Sequence, residues 1–437
     1  MTTHNRRRTV AVLAALVLPL TLAACGSGGT PAATTGASGG SADNGTKLTM
    51  WVRSATDAFS TRLVKEYNNT HKNQVTLTVI PNDNYLQKVG SAAGANQLPD
   101  ILASDVVYSP NYTSQGLYVD ISARVAALPF ADKLAPSHLA AGSWEGKLYA
   151  IPHKLDSSVM YYNKDLFKAA GLDPEKPPKT FDDIIADSKA ITALGNGTYG
   201  FAIGGNCGGC GVYTMFPYAW AAGENVLSAD GKTGSFDTPA FRKVFALYKT
   251  LWDDKLVPAN GKEEDGSTWQ NAFLAGTIGI FPQGSPIAGD LLKQTKFDWG
   301  VTSLMAPDGS ATSTFVGGDV AGITKSSKNA DAAWDFLQWT LSENAQVEII
   351  AKNGDLPGRL DLTGNKYTAT DPRLKFIADG LANGHTPFAL PFGDLFNNPN
   401  GPWVAMMRGA IFGNNPDQAI KDGQAKIQAG LDAANKK

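Results

Sequence analysis

No single hydrophobic core serves a chain of 437 residues, because cores stop growing at about 250 to 300 residues and longer chains divide. Two lobes are therefore the expected organisation. Lys47 to Val52 reads as a strand, Asp57 to Asn69 as a helix and Gln74 to Ile80 as a β-branched second strand, a β-α-β opening. Helical and extended patterns keep alternating, punctuated at Pro99, Pro110, Gly171 to Pro174 and Pro177-Pro178. This alternation predicts an α/β architecture with mostly parallel sheets, turning more helical in the last third. Thr180, three residues ahead of Asp183, opens a helix running through Leu194 in a pattern close to a capping box. No fixed-period repeat and no sustained heptads appear, which sets solenoids and coiled coils aside.

The start of the chain reads as an address. Arg6 to Arg8 precede an apolar run from Val10 to Ala24, too short to cross a bilayer comfortably and typical of a signal peptide over residues 1–24. It ends in Leu22-Ala-Ala-Cys25, which resembles the lipobox of bacterial lipoproteins and implies lipidation of Cys25 at the cell membrane, on its extracytoplasmic face. A plain secretory signal with an incidental cysteine is the alternative, and the triple arginine leaves Sec and twin-arginine export both open. Residues 25–45 are rich in Gly, Ser, Thr and Ala; such a segment behaves as a tether spanning about 25 Å.

With 43% hydrophobic and 18% charged residues over its full length, the chain has the composition of a globular protein, neither disordered nor built of multiple membrane spans. A net charge of -2, with no basic block beyond the leader, lacks the footprint that a phosphate backbone requires, so nucleic acid is an unsuitable partner.

Several segments occur in a characteristic order: Leu98-Pro-Asp-Ile101, Gln115-Gly-Leu-Tyr-Val-Asp120, Gly146-Lys-Leu-Tyr-Ala-Ile-Pro152, Val159-Met-Tyr-Tyr-Asn-Lys-Asp165, Ala272-Phe-Leu-Ala-Gly276 leading to Gln283-Gly284, Phe315-Val-Gly317 and Ala332-Ala-Trp-Asp-Phe-Leu337. From about Lys47 to about Leu431 the chain thereby resembles the family 1 extracellular solute-binding proteins, which include maltodextrin binders. The resemblance implies a two-lobed, periplasmic-binding-protein-like α/β fold of type II with a ligand cleft between discontinuous lobes. Lobe one is expected to take 46–155 and 303–342, and lobe two 156–302 and the helical 343–437. It further implies a monomeric substrate-binding lipoprotein, without cofactor or catalysis, that hands a di- or oligosaccharide to the permease subunits of an ATP-binding cassette (ABC) importer. Two rivals stand beside it: a binding protein for a glycerol phosphodiester or other polar metabolite, and a secreted glycoside hydrolase. The hydrolase would need two carboxylates about 5 to 9.5 Å apart, with Asp105, Asp156 and Asp319 as candidates.

Sugars present apolar ring faces and a rim of hydroxyls, so their sites combine aromatic plates with charged or amide partners. Arg53 and Ser54 follow the first strand, at the carboxyl end where α/β sheets bind ligands, while Trp51 reads as a packing residue. Ser104, Asp105 and Tyr108 follow a later strand end, Ser104 standing where a maltodextrin binder has a stacking tryptophan. By the resemblance, Asp156 falls at a sugar-contacting hinge position, Tyr213 at a ring-stacking tyrosine and Trp403 at a tryptophan that closes the pocket. Gln283, Gly284 and Ser285 lie in a family site loop whose tryptophan is Pro286 here. Gly317, Gly318 and Asp319 follow another strand end, where glycine admits close backbone approach and Asp319 can accept hydroxyls.

With Cys25 lipidated, Cys207 and Cys210 remain as an even pair in an oxidising compartment, and a disulfide is expected. A thioredoxin-like role would need the pair at a helix start after a strand in an electropositive setting. Zinc has weaker support, since the 5 His residues are scattered. Three further patterns mislead. Gly195 to Gly200 satisfies a dinucleotide fingerprint but follows a helix and enters a strand, Gly36 to Gly40 places a hydrolase-like serine in the tether, and Gly231-Lys-Thr233 lacks the upstream glycine of a P-loop.

Overall fold

The computed structural model describes residues 43–294 and 296–436. The signal segment, Cys25, the Gly36–Gly40 pattern and all but the end of the tether lie outside the described residues. The opening is the anticipated β-α-β unit: β1 (Lys47–Arg53), α1 (Asp57–Thr70) and β2 (Gln74–Ile80). Next come α2 (Asn82–Gly94), β3 (Ile101–Asp105) and α3 (Ser109–Ser114). A long strand, β4 (Ile151–Asn163), leads to α4 (Phe181–Thr192), β5 (Tyr199–Phe201), α5 (Gly208–Ala221) and α6 (Pro239–Asp253). Then β6 (Ile278–Gly284), β7 (Trp299–Thr302) and a second long strand, β8 (Thr312–Ile323), precede α7 (Ala330–Thr340), α8 (Pro372–Asp379), α9 (Pro402–Phe412) and α10 (Pro416–Ala434).

The strands form one hydrogen-bonded path, β2-β1-β3-β8-β4-β6-β5, with β7 also on β4. β1 is parallel to β2 and β3, and β5 to β6. The long strands are antiparallel to their neighbours on this path and to β7. The expectation of mostly parallel sheets is corrected to a mixed sheet, because β4 and β8 carry the chain out to the second lobe and back and must run in opposite directions. The first half of β4 pairs with β8 and the second half with β6 and β7, so the crossing falls at Ser157↔Val316 and Asp156↔Gly317. Both strands are almost wholly buried.

Each lobe has its own packing centre. In the first, Met50, Val52, Ile101 and Ala103 of the sheet meet Tyr67 of α1 and Phe336 and Leu337 of α7. In the second, Phe216 of α5, Phe241 of α6 and Trp403 of α9 pack among Phe236 and Phe396. Contacts run across the expected borders at 303 and 343. Residues 303–315 stay with the second lobe, where the Pro307 carbonyl accepts from Phe181 N at 3.1 Å, and the return occurs only at the crossing. Residues just beyond 343 stay with the first lobe, since Ala345 and Ile350 pack on Phe59 and Leu63 and the Gly358 carbonyl accepts from Ala135 N at 3.0 Å.

Local signals hold where the chemistry is local. Thr180 Oγ1 accepts from Asp183 N at 3.1 Å and Asp183 Oδ2 accepts from Thr180 N at 3.0 Å, a complete capping box at the start of α4. Gly195 to Gly197 make the turn from α4 into β5, the reverse of a dinucleotide motif. No helix of the described residues is long and apolar enough to cross a membrane.

Candidate functional site

Two strand ends and the middle of a long strand converge at the crossing. Arg53 closes β1, Asp105 closes β3 and Asp319 sits mid-way along β8, opposite Asp105 in register. The Arg53 guanidinium binds both acids: Nη1 lies 3.0 Å from Asp105 Oδ2, Nε lies 3.3 Å from Asp319 Oδ2, and Nη2 donates to the other Asp319 oxygen. Burial works against the Arg53 charge, but Asp105 and Asp319 more than offset it and hold the proton well above the usual arginine range. Asp105 is pushed up to about 6, first by burial and then by Asp319, with Arg53 opposing.

The facing wall is built on α5. Tyr213 donates its hydroxyl to Asp156 Oδ1 and lies against Phe315 with ring centroids 4.9 Å apart. Room for the tyrosine comes from Gly317, where a Cβ would stand 2.7 Å from both Asp156 Oδ1 and the Tyr213 ring. Gly318 serves the strand: its φ is 107 and a side chain there would overlap the Lys154 carbonyl, while its own carbonyl accepts from Val106 N at 3.0 Å. Burial raises the Asp156 carboxyl, with Lys154 opposing.

Other expected site residues lie elsewhere or serve the frame. Ser104 points away from Asp105, to the opposite face of the sheet from Ile101 and Ala103, its Oγ 3.2 Å from the Tyr118 hydroxyl, because successive residues of a strand face opposite sides. Trp403 is fully buried in the second core, its Nε1–H donating to the Gly208 carbonyl at 3.2 Å, so it supports α5 rather than closing a pocket. Ser285 is buried and its Oγ accepts from Ser157 N at 3.1 Å, tying β4 to the end of β6. Gln283 folds onto its own strand end, accepting from Gly284 N at 2.7 Å. Ser54 is exposed and accepts from Asn82 N at 3.2 Å. Tyr108 is largely buried near Arg53 and Asp105, its hydroxyl accepting from Asn397 Nδ2 at 2.6 Å.

A second polar cluster beside the first was not anticipated. The β4–β8 register slips at Asp319/Val320, where Lys154 pairs Asp319 but Pro152 pairs Val320; this irregularity lets His153 and Lys154 both face α1. Lys154 Nζ lies 3.9 Å from Asp355 Oδ1 and 5.6 Å from the Phe59 ring centroid. Arg62 of α1 pairs with the other Asp355 oxygen. His153 bonds Ser60 through Nε2 at 2.9 Å, and its buried Nδ1 finds no hydrogen-bond partner among the described residues. His138 donates to the Lys154 carbonyl at 2.8 Å. Burial lowers both imidazoles to about 4, so they are neutral at pH 7. The one signal in the sequence was Lys154, two residues ahead of Asp156; Asp355 is too distant in the chain for any spacing argument.

Cys207 and Cys210 form a disulfide. Cys207 caps α5, its Sγ accepting from Cys210 N at 3.1 Å, so the bridge braces the first turn of the helix that presents Tyr213. The pair does follow a strand and open a helix, one of the two conditions for thiol chemistry. Among the described residues no group of three or more His, Cys, Asp or Glu could hold a metal. Asp319 is fully buried with both oxygens on Arg53, a poor arrangement for a hydrolytic carboxylate.

Comparison with known proteins places these features in a context. The family model described as bacterial extracellular solute-binding protein matches residues 53–347. A binding protein of Brucella abortus is 26% identical over 357 residues, covering 80% of this chain and 84% of its own. The diacetylchitobiose binding protein of Streptomyces coelicolor is 24% identical over 437 residues, covering 98% and 99%. Among solved structures, an ABC transporter solute-binding protein from Thermotoga lettingae bound with α-D-tagatose superimposes with a TM-score of 0.77 at 20% identity, over 88% of this chain and 100% of its own.

Proposed function

Because this chain belongs to the bacterial extracellular solute-binding proteins, we propose that it captures a carbohydrate at the crossing of its lobes and delivers it, unaltered, to the permease of an ABC importer. The observation that carries the reading is the pair of facing polar walls, Arg53 with Asp105 and Asp319 on one lobe and Asp156 with Tyr213 on the other. Asp105 and Asp156 offer carboxylate oxygens that accept sugar hydroxyls through charge-assisted bonds, Asp319 holds Arg53 in place, and the tyrosine ring offers a plate for a pyranose face. Names of relatives agree in chemistry: diacetylchitobiose for one and tagatose for another.

Anchoring follows from the leader. Lipidated Cys25 and the tether hold a monomeric globule outside the membrane, within reach of the permease. Closure favours whichever guest makes better contacts with the closed state, and no chemical step is required of the acids.

A thermal-shift screen of the purified chain against mono-, di- and oligosaccharides tests the reading, with glycerol phosphodiesters as the contrast. A cognate sugar at a thousandfold its Kd adds about 4 kcal/mol of stability. A shift with a phosphodiester and none with any carbohydrate overturns the substrate class, and turnover of an oligosaccharide overturns the absence of catalysis.

A further inference from the structure

The lobes also meet beside the charged cluster, on the far side of Tyr108. On the second lobe, the segment 390–397 is fixed by Phe392 and Phe396, whose rings lie 4.6 Å apart, and by Phe396 against Phe216 of α5 at 5.9 Å. Two side-chain bonds reach it from the first lobe. Asn111 of α3 donates its amide to the Leu390 carbonyl at 3.0 Å, and Asn397 donates to the Tyr108 hydroxyl at 2.6 Å. Between them stands Gly393. A methyl built on it would lie 2.8 Å from Leu86 Cδ1 and 3.3 Å from the Tyr108 ring, and both neighbours belong to the first lobe. Its backbone is outside the left-handed region, so conformation does not favour glycine there; the approach of Leu86 and the Tyr108 ring from the other lobe does.

We propose that Asn111, Asn397 and Gly393 form a latch across the mouth of the cleft that favours the closed arrangement of the lobes without touching the guest. Asn111 and Asn397 are positioning residues, and Gly393 is the small residue that lets the surfaces meet. A contact made only in the closed form raises its population, and apparent affinity scales with the fraction of molecules competent to hold the guest. The effect on affinity rests on the carbohydrate reading above; the effect on shape does not.

Two measurements on the purified chain decide the proposal: small-angle X-ray scattering without ligand, and titration with two cognate sugars. Asn111→Ala and Asn397→Ala each remove one neutral hydrogen bond, and affinity for both sugars falls by a common factor of roughly two to ten. Gly393→Ala adds a methyl that Leu86 and the Tyr108 ring must shift to admit in the closed form, and affinity falls by a similar factor. All three variants show a larger radius of gyration than the parent when unliganded. Unchanged radii in all three overturn the latch, and they do so even if no carbohydrate binds. A changed ranking of the two sugars also overturns it, because that result puts Asn111 or Asn397 on the guest. The two asparagines lie on different lobes, so misfolding of one variant leaves the other decisive.

Discussion

Asp105 carries a charge that the unliganded fold does not welcome, and Asp105→Asn exposes the cost. Its carboxyl goes from 3.8 to about 6 on folding, first through burial, with Asp319 adding to it and Arg53 opposing. An affinity for protons raised that far makes the ionised folded protein about 3 kcal/mol less stable than the protonated one, and sharing of the field with Asp319 and Asp156 reduces this to about 1 to 3 kcal/mol. The sign is that of a carboxyl raised above its unfolded value. Its stabilising contribution is complete below about pH 4 and is lost as pH rises toward the folded value of about 6. Asparagine keeps the shape and removes the titration. Urea unfolding of parent and variant, both unliganded, at pH 4.5 and pH 8 is the assay. The variant is expected to gain about 1 to 2 kcal/mol over the parent at pH 8 relative to pH 4.5, part of the effect being already lost at pH 4.5, while its sugar affinity drops because a charged acceptor is gone. A gap that does not grow with pH, or that grows in the parent's favour, refutes the reasoning.

Further substitutions separate the site from its frame. Tyr213→Phe removes the hydroxyl that binds Asp156 and keeps the ring, so calorimetric affinity falls roughly tenfold and stability falls by about 1 to 3 kcal/mol as the buried carboxylate loses its partner. Trp403→Ala empties the second core and costs about 3 to 5 kcal/mol in denaturant unfolding, with the ranking of sugars unchanged. Gly318→Ala meets both a left-handed φ and the Lys154 carbonyl, and unfolding at lower denaturant by about 2 to 4 kcal/mol is expected.

The readable parts of this chain were those governed by short-range rules. Strand and helix periods placed β1, α1 and β2, and the capping pair marked α4. The rule that ligands gather beyond strand carboxyl ends brought Arg53 and Asp105 to one place, with Asp319 joining from an antiparallel strand. Period-two alternation already separates Ser104 from Asp105, and applying it would have removed Ser104 from the site. Trp403 sits on a helix apolar on nearly every side, Val404, Met406, Met407, Ala410 and Ile411 being buried with it, and such a helix belongs in a core. Lys154 faces α1 beside His153 because the register of β4 slips, and no pattern along one strand reveals a slip that depends on its partner. Asp355 reaches Arg62 and Lys154 only through tertiary contact. A long strand serves both lobes, and where it changes partners is set by pairing rather than by composition.

The central claim is that the guest lies intact between Arg53, Asp105 and Asp319 on one side and Asp156 and Tyr213 on the other. A crystal structure of the chain with the sugar that gives the largest thermal shift tests it most directly. The account predicts an unhydrolysed sugar whose hydroxyls contact Asp105 and Asp156 and whose ring faces Tyr213. A sugar bound away from these residues, or one cleaved in the site, contradicts it.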